Sequence, residues 1–310
     1  MTRQPYTDAI RERVIVFDGA FGTFVQGLDL GPDDFGGPSL EGCNEMLTLT
    51  RPDVIEAMHR AFLDAGVDAI ETASFGSFST VLTEYDIPEK AYELNVAAAS
   101  IARRVADEYE AKDGRPRYVA GSIGPGTKLP SLGHITFGEL RDAYEEQARG
   151  LIDGGCDLFL IETCMDLLQI KAAMQACRRA MEATGRHIAI QVQVTMETTG
   201  RMLVGTEIGA AYAALVAMKP DAIGINCATG PAEMQEHLRY LSEHSEIPVS
   251  VLPNAGLPEM RNGETFFPLD PAPLAEWLDQ FAGEFGVNII GGCCGSTPTH
   301  IAAISAALNS

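Results

Sequence analysis

Three cysteines carry the clearest chemistry in this sequence: Cys227 in GINCATGP (224–231), and the vicinal pair Cys293 and Cys294 in GGCCG (291–295). Thiolates are soft donors that suit Zn²⁺. Three protein ligands leave one tetrahedral position open for a substrate, whereas closed structural sites usually have four. Neighbouring side chains on a regular strand point to opposite faces. Cys293 and Cys294 can therefore share a metal only where the chain leaves extended geometry, which Gly291, Gly292 and Gly295 make easy. Spacing alone leaves other readings open: a strained vicinal disulfide, unrelated buried thiols with Cys227 in the core, or a closed Cys₃His site completed by His300. His300 falls inside the helix that follows, however. His59, His134, His187, His237 and His244 fall mostly on helices or strand starts and read as structural or solvated. Asp18 and Glu162 each read alone as a loop cap. Beside three thiolates they make an anionic mouth suited to a ligand with an ammonium and a thiol. GSIGPGTK (121–128) superficially resembles a phosphate loop, but Thr127 separates the second glycine from Lys128 and Pro130 follows, so that role is set aside.

The elements that must position these residues alternate along the whole chain. Short apolar runs predict strands over 14–20, 69–74, 118–124, 158–163, 187–196, 222–227, 248–254 and 287–292. Amphipathic runs predict helices over 52–65, 88–109, 137–153, 166–183, 208–218, 231–243, 271–285 and 298–308, several opening with proline. The strands are nearly continuous Val, Ile and Leu, as in parallel strands covered on both faces. Eight strand–helix units predict an α/β fold, a (β/α)₈ TIM barrel. An open doubly wound sheet is disfavoured because no GxGxxG follows the first strand. In such barrels chemistry sits at the C-terminal ends of strands. That rim collects Asp18, Glu162, Cys227, Asn254, Cys293 and Cys294. Two loops are long, 27–44 and 253–268, the second with the turn signal Asn262-Gly263. No low-complexity linker interrupts residues 1–310, which read as one domain.

Composition excludes several classes. The 310 residues are 46% hydrophobic and 21% charged, which is ordinary globular composition and not that of a disordered chain. A net charge of −21 repels phosphate backbones, so nucleic acid is not an expected partner. No run approaches the roughly 18 apolar residues of a membrane span, and the N-terminus lacks a signal-type apolar core. Seven cysteines are too few and too odd for a disulfide scaffold. Cys43, Cys156, Cys164 and Cys177 read as buried thiols of a reduced, cytoplasmic protein.

The motifs resemble those of the zinc-dependent homocysteine methyltransferase family, nearest its cobalamin-dependent branch. They are DGAFGT (18–23), NEMLTLTRPDVI (44–55), GSIGP (121–125), IETCMDLLQIKAA (161–173), GINCATGP, PNAGLP (253–258) and GVNIIGGCCGSTPTHI (286–301). The resemblance implies a (β/α)₈ barrel whose Cys227, Cys293 and Cys294 ligate Zn²⁺, with Asn254 as fourth ligand until homocysteine displaces it. It implies that Asp18 and Glu162 hold the L-homocysteine ammonium, and that backbone N–H groups of Gly19, Ala20, Phe21 and Gly22 take its carboxylate. The bound thiolate would accept a methyl group, giving methionine. The implied donor is methylcobalamin on a separate corrinoid-binding module or protein, with a methyltetrahydrofolate-binding module as a further partner. The start at Met1 favours a free-standing subunit over an excised fragment. Two alternatives stand beside this: betaine or S-methylmethionine as donor, or a non-catalytic zinc-binding scaffold of a corrinoid complex. Betaine favours an aromatic cage, best with tryptophan. The single Trp277 lies in the 271–285 helix, which leaves Phe21, Phe75, Phe78 and Tyr85 as possible lining residues.

Overall fold

The structure, a computed structural model, describes residues 3–261 and 263–308. The apolar runs form parallel strands β1 (Ile15–Val16), β2 (Ala69–Glu71), β3 (Tyr118–Ile123), β4 (Leu158–Cys164), β5 (Ala189–Val194), β6 (Ala222–Asn226) and β7 (Val249–Leu252). A short antiparallel pair follows, β8 (Glu259–Arg261) and β9 (Glu264–Phe266), and then the last barrel strand, β10 (Ile289–Ile290). The sheet runs β1-β10-β7-β6-β5-β4-β3-β2, and a parallel bridge between Phe17 and Ala69 brings its two edges together. This is the expected (β/α)₈ barrel. Asn262, half of the predicted turn, lies outside the described residues; β8 and β9 flank it.

The helices follow their sequence signals. Phe137–Gly154 starts at Thr136, whose hydroxyl accepts from the Glu139 N–H while Glu139 reaches back, a capping box, and it stops at Gly155 in the left-handed region (φ 102°). Its buried residues Leu140, Ala143, Tyr144, Gln147, Ala148 and Leu151 repeat at three and four, so one stripe faces the barrel.

The structure differs from the sequence reading in three places, two of them beside the site. The strands predicted over 14–20 and 287–292 shorten to Ile15–Val16, with the further bridge at Phe17, and to Ile289–Ile290. Beyond those residues the glycine-rich tips brace other loops, with Gly292 N donating to Asp18 O (3.0 Å) and Cys293 N to Pro253 O (2.8 Å). The 27–44 loop is folded largely into 3₁₀ turns, Pro32–Phe35 and Pro38–Leu40, followed by Asn44–Met46. An unpredicted helix, Tyr6–Glu12, closes the N-terminal end of the barrel. Its Tyr6, Ala9 and Ile10 join Ile15, Phe17, Tyr118, Leu158 and Leu160 in a buried cluster, and Tyr6 Oη donates to Gln191 Oε1 at 2.6 Å. Seven residues are too few to show a helical period.

Candidate metal and substrate site

The three rim cysteines meet because both strand tips abandon extended geometry. Cys227 and Ala228 both lie in the left-handed region (φ 59° each), so the chain turns sharply after β6 instead of continuing outward. After β10, Ser296 N bonds back to Cys293 O (3.0 Å), Ala255 N bonds to Cys294 O (2.9 Å), and Gly295 takes φ 79°. All seven cysteines are free. The Sγ atoms of Cys227, Cys293 and Cys294 lie within 4.8 Å of one another, and the Cys227–Cys294 separation is 3.8 Å. Tetrahedral thiolates at about 2.3 Å from Zn²⁺ would be spaced at about 3.8 Å. Among the described residues no histidine or carboxylate joins the three. His300 is engaged elsewhere, with Nδ1 against Thr297 and Nε2 3.0 Å from Leu269 O. Cys164 points to the Glu162 carbonyl (3.4 Å) and, like Cys43, Cys156 and Cys177, is buried away from the cluster. Hydrogen bonds from the Cys227 and Cys293 thiols draw Cys294 down to about 3, and the same contacts push Cys293 well up. Three sulfurs in mutual contact are a donor set that suits a soft divalent cation.

Asn254 lies between the two cysteine turns, its N–H donating to Thr229 O (3.1 Å). It is buried, and its Oδ1 has no hydrogen-bond partner. An unsatisfied buried oxygen is costly, and a metal ligand role would satisfy it.

Sharing the cavity with the thiols are the carboxyls of Glu71 and Glu162, and a third, Asp18, is bonded to the backbone of Glu71. Asp18 accepts from the Glu71 N–H through both oxygens (3.2 and 3.0 Å). Glu162 accepts from Ser122 Oγ (2.6 Å) and from Asn226 Nδ2 (3.2 Å). Glu71, at the tip of β2, has a buried Oε1 with no partner. Among the described residues none of the three forms an ion pair. Burial pushes Asp18 and Glu71 well above the usual carboxylate range, in Glu71 reinforced by the charges of Glu162 and Asp18. Burial likewise lifts Glu162 to about 7, against the lowering effect of the Ser122 hydroxyl. A ligand bringing its own cation would find all three waiting.

Between thiols and carboxyls lies a cavity of about 240 Å³, walled by Ala20, Phe21, Gly22, Glu71, Glu162 and the three cysteines, with Asn44, Glu45 and Phe75 at its side. Asp18, expected at the substrate, is not among the wall residues. Gly19 packs so closely on Ser296 that a Cβ would come within 2.8 Å of its Oγ, which ties the first loop to the cysteine loop. The helix Phe21–Gln26 begins here, and its first N–H groups have no acceptor one turn earlier. Of the aromatic candidates, Phe21 and Phe75 line the cavity. Phe78 is fully buried against Tyr144, Tyr85 packs in the cluster of Cys43, and Trp277 lies on its helix against Phe281. The sequence puts Glu71 and Asn226 at the ends of strands but assigns neither a role, and it does not point to Glu45. Glu71 carried the same signal as Glu162, an acid at a strand tip.

The profile of the family described as homocysteine S-methyltransferase matches residues 15–308. Methionine synthase of Mycobacterium tuberculosis (strain ATCC 25618 / H37Rv) is 55% identical over 301 residues, 97% of this chain and 25% of that protein, and that of Mycobacterium leprae (strain TN) matches to the same extent. The chain thus spans about a quarter of the length of these curated relatives. The metallated homocysteine methyltransferase MmuM of Escherichia coli superposes with a TM-score of 0.77 at 23% identity, over 96% of each chain, a likeness of fold.

Proposed function

The chain belongs to the homocysteine S-methyltransferase family, and from that membership we propose that it binds Zn²⁺ through Cys227, Cys293 and Cys294 and transfers a methyl group to the sulfur of L-homocysteine. One observation carries the reading: three converging thiols share a single small cavity with the carboxyls of Glu71 and Glu162, neither of which has a cation among the described residues, and Asp18 is bonded to the backbone of Glu71. Zinc, when bound, supplies an ionised homocysteine thiolate at neutral pH, the nucleophilic form. The chain's own residues do the rest. Asp18 and Glu162, with Glu71 beside them, receive the substrate ammonium. The backbone N–H groups from Gly19 to Gly22 receive its carboxylate. Asn254 Oδ1 serves as the fourth ligand in the absence of substrate.

Methylcobalamin on a corrinoid-binding module is the donor we assign, with a methyltetrahydrofolate-binding module as further partner. The much greater length of the mycobacterial methionine synthases supports this. So do exposed apolar side chains in the connections that follow barrel strands, among them Leu132, Leu203 and Met260, on which such a module would dock. Betaine is less suited to a wall with only Phe21 and Phe75 as aromatics. We assign residues 1–310 to one domain. No described helix is long and apolar enough to cross a membrane, and with the unpaired cysteines this supports a cytoplasmic protein.

Zinc-loaded protein given homocysteine with methylcobalamin, betaine or S-methylmethionine separately should make methionine with methylcobalamin; turnover with betaine alone would overturn the donor assignment. X-ray absorption should show the zinc–sulfur count rising from three to four at about 2.3 Å on adding homocysteine. A count fixed at three would leave the non-catalytic scaffold.

A further inference from the structure

Asn226 is the last residue of β6, fully buried, and immediately precedes Cys227. Both ends of its amide are engaged with the tip of β4. Oδ1 accepts from the Thr163 N–H at 2.8 Å, and Nδ2 donates to Thr163 Oγ1 at 2.9 Å and to Glu162 Oε2 at 3.2 Å. Thr163 is a β-branched residue in the left-handed region (φ 56°), a conformation that persists only when its surroundings impose it. The β4–β5 register shifts at this point, between Ile161 and Cys164. The amide therefore holds in place the irregularity next to Glu162 and also contacts that carboxylate directly. On its C-terminal side the chain enters the Cys227–Ala228 turn that presents a thiol.

We propose that Asn226 is a positioning residue that aims Glu162 at the substrate ammonium, joining the amine-binding wall to the strand tip that carries Cys227. The proposal rests on the function assigned above. An amide suits the place because it accepts from the backbone and donates to the carboxylate at once; aspartate offers no donor when ionised, and leucine offers neither. Without Nδ2, Glu162 retains the Ser122 bond alone and can turn away from the cavity.

The test compares zinc-loaded wild type, Asn226→Ala, Thr163→Val, Glu162→Gln and the double variant Asn226→Ala with Glu162→Gln, by calorimetric titration of homocysteine and of 4-mercaptobutanoate, the same thiol acid without the amine. Asn226→Ala should weaken homocysteine about 10- to 100-fold, as loss of a hydrogen bond to a charged group does. It should leave 4-mercaptobutanoate and zinc content unchanged, and the loss should not add to that of Glu162→Gln. Thr163→Val, which removes one acceptor that orients the amide, should show a smaller selective loss and decides the matter if Asn226→Ala does not fold. Equal weakening of both ligands, or of neither, would overturn the positioning role. If Glu162→Gln itself keeps full preference for homocysteine, the ammonium assignment fails and this inference with it.

Discussion

Glu162 shows how a single buried carboxyl makes the stability of the substrate-free protein depend on pH. Its folded-state pKa is lifted to about 7 by burial, against about 4.5 unfolded. Above pH 7 both states are ionised, and burying the charge costs the fold roughly 3 kcal/mol. As pH falls from 7 towards 4.5 the folded state takes up a proton while the unfolded state stays ionised, so stability is regained. His59 acts in the opposite sense. Burial drives its imidazole down to about 3, so the fold loses stability as pH falls below about 6.5. His59 and the raised carboxyls of Asp18 and Glu71 are common to wild type and Glu162→Gln, so the difference between them reports Glu162 together with the charge it places on those two neighbours. Metal-free Glu162→Gln should be more stable than wild type at pH 8 by up to about 3 kcal/mol, with the gap closing near pH 5, as measured by urea unfolding. A gap that does not change with pH would show that Glu162 is ionised throughout. At this scale the sequence was readable where a side chain has chemistry of its own: thiols in glycine-rich turns, acids at strand tips. Asn226 was not readable, because an amide acquires a role only through its partners, and these lie 63 and 64 residues away along the chain.

Elements were legible wherever an apolar period ran long enough. Alternating runs of Val, Ile and Leu with amphipathic stretches yielded the barrel, because eight parallel strands must bury both faces. What failed were the ends. The tips of β1 and β10 stop pairing early because glycine lets them bond sideways to other loops, a tertiary choice that local pattern does not encode. The helix Tyr6–Glu12 was missed for its shortness, yet it seals the barrel floor with Tyr6 in edge contact with Tyr118 (ring centroids 5.3 Å apart). Tyr6→Ala should cost about 3–5 kcal/mol, as for other buried aromatics. Tyr6→Phe should cost only about 1–2 kcal/mol, by stranding the Gln191 side chain without its 2.6 Å partner. Thermal and urea unfolding would measure both. Zinc affinity should be unchanged in each variant that folds, since the cysteines occupy the opposite end of the barrel; a loss of zinc in Tyr6→Phe would mean that the two ends are coupled.

The molecule as a whole separates its surface by end. The N-terminal end is knitted by ion pairs, with Arg3 bridging Asp107, Glu110 and Asp157, and Asp68 holding Arg13 and Arg115. The other end is where apolar surface is left in water. Of the eight large apolar side chains exposed among the described residues, seven (Leu28, Phe75, Leu132, Leu203, Leu257, Met260 and Phe266) lie in connections that leave the C-terminal ends of barrel strands, and only Tyr92 lies elsewhere. Scattered exposed leucines need no explanation, but seven large apolar side chains gathered in the connections at the cavity end of the barrel, with Phe75 in the cavity wall itself, point to an interaction surface. The proposed reaction needs such a surface, because a methyl group carried on a corrinoid must be brought in line with a sulfur held inside the mouth. Met260, 70% exposed on the β8–β9 hairpin, and Leu203, 55% exposed, are the most prominent probes besides Leu132. Met260→Glu and Leu203→Glu place a charge in the contact without touching the zinc or carboxyl walls. Methyl transfer from a corrinoid-binding module should then slow by about tenfold or more, as for residues central to an interface. Transfer from free methylcobalamin, homocysteine affinity and zinc content should stay at wild-type values, and Tyr92→Glu should change nothing. Equal slowing with free and module-bound donor would place these side chains in the cavity's own chemistry, and no slowing with either would remove them as the docking face.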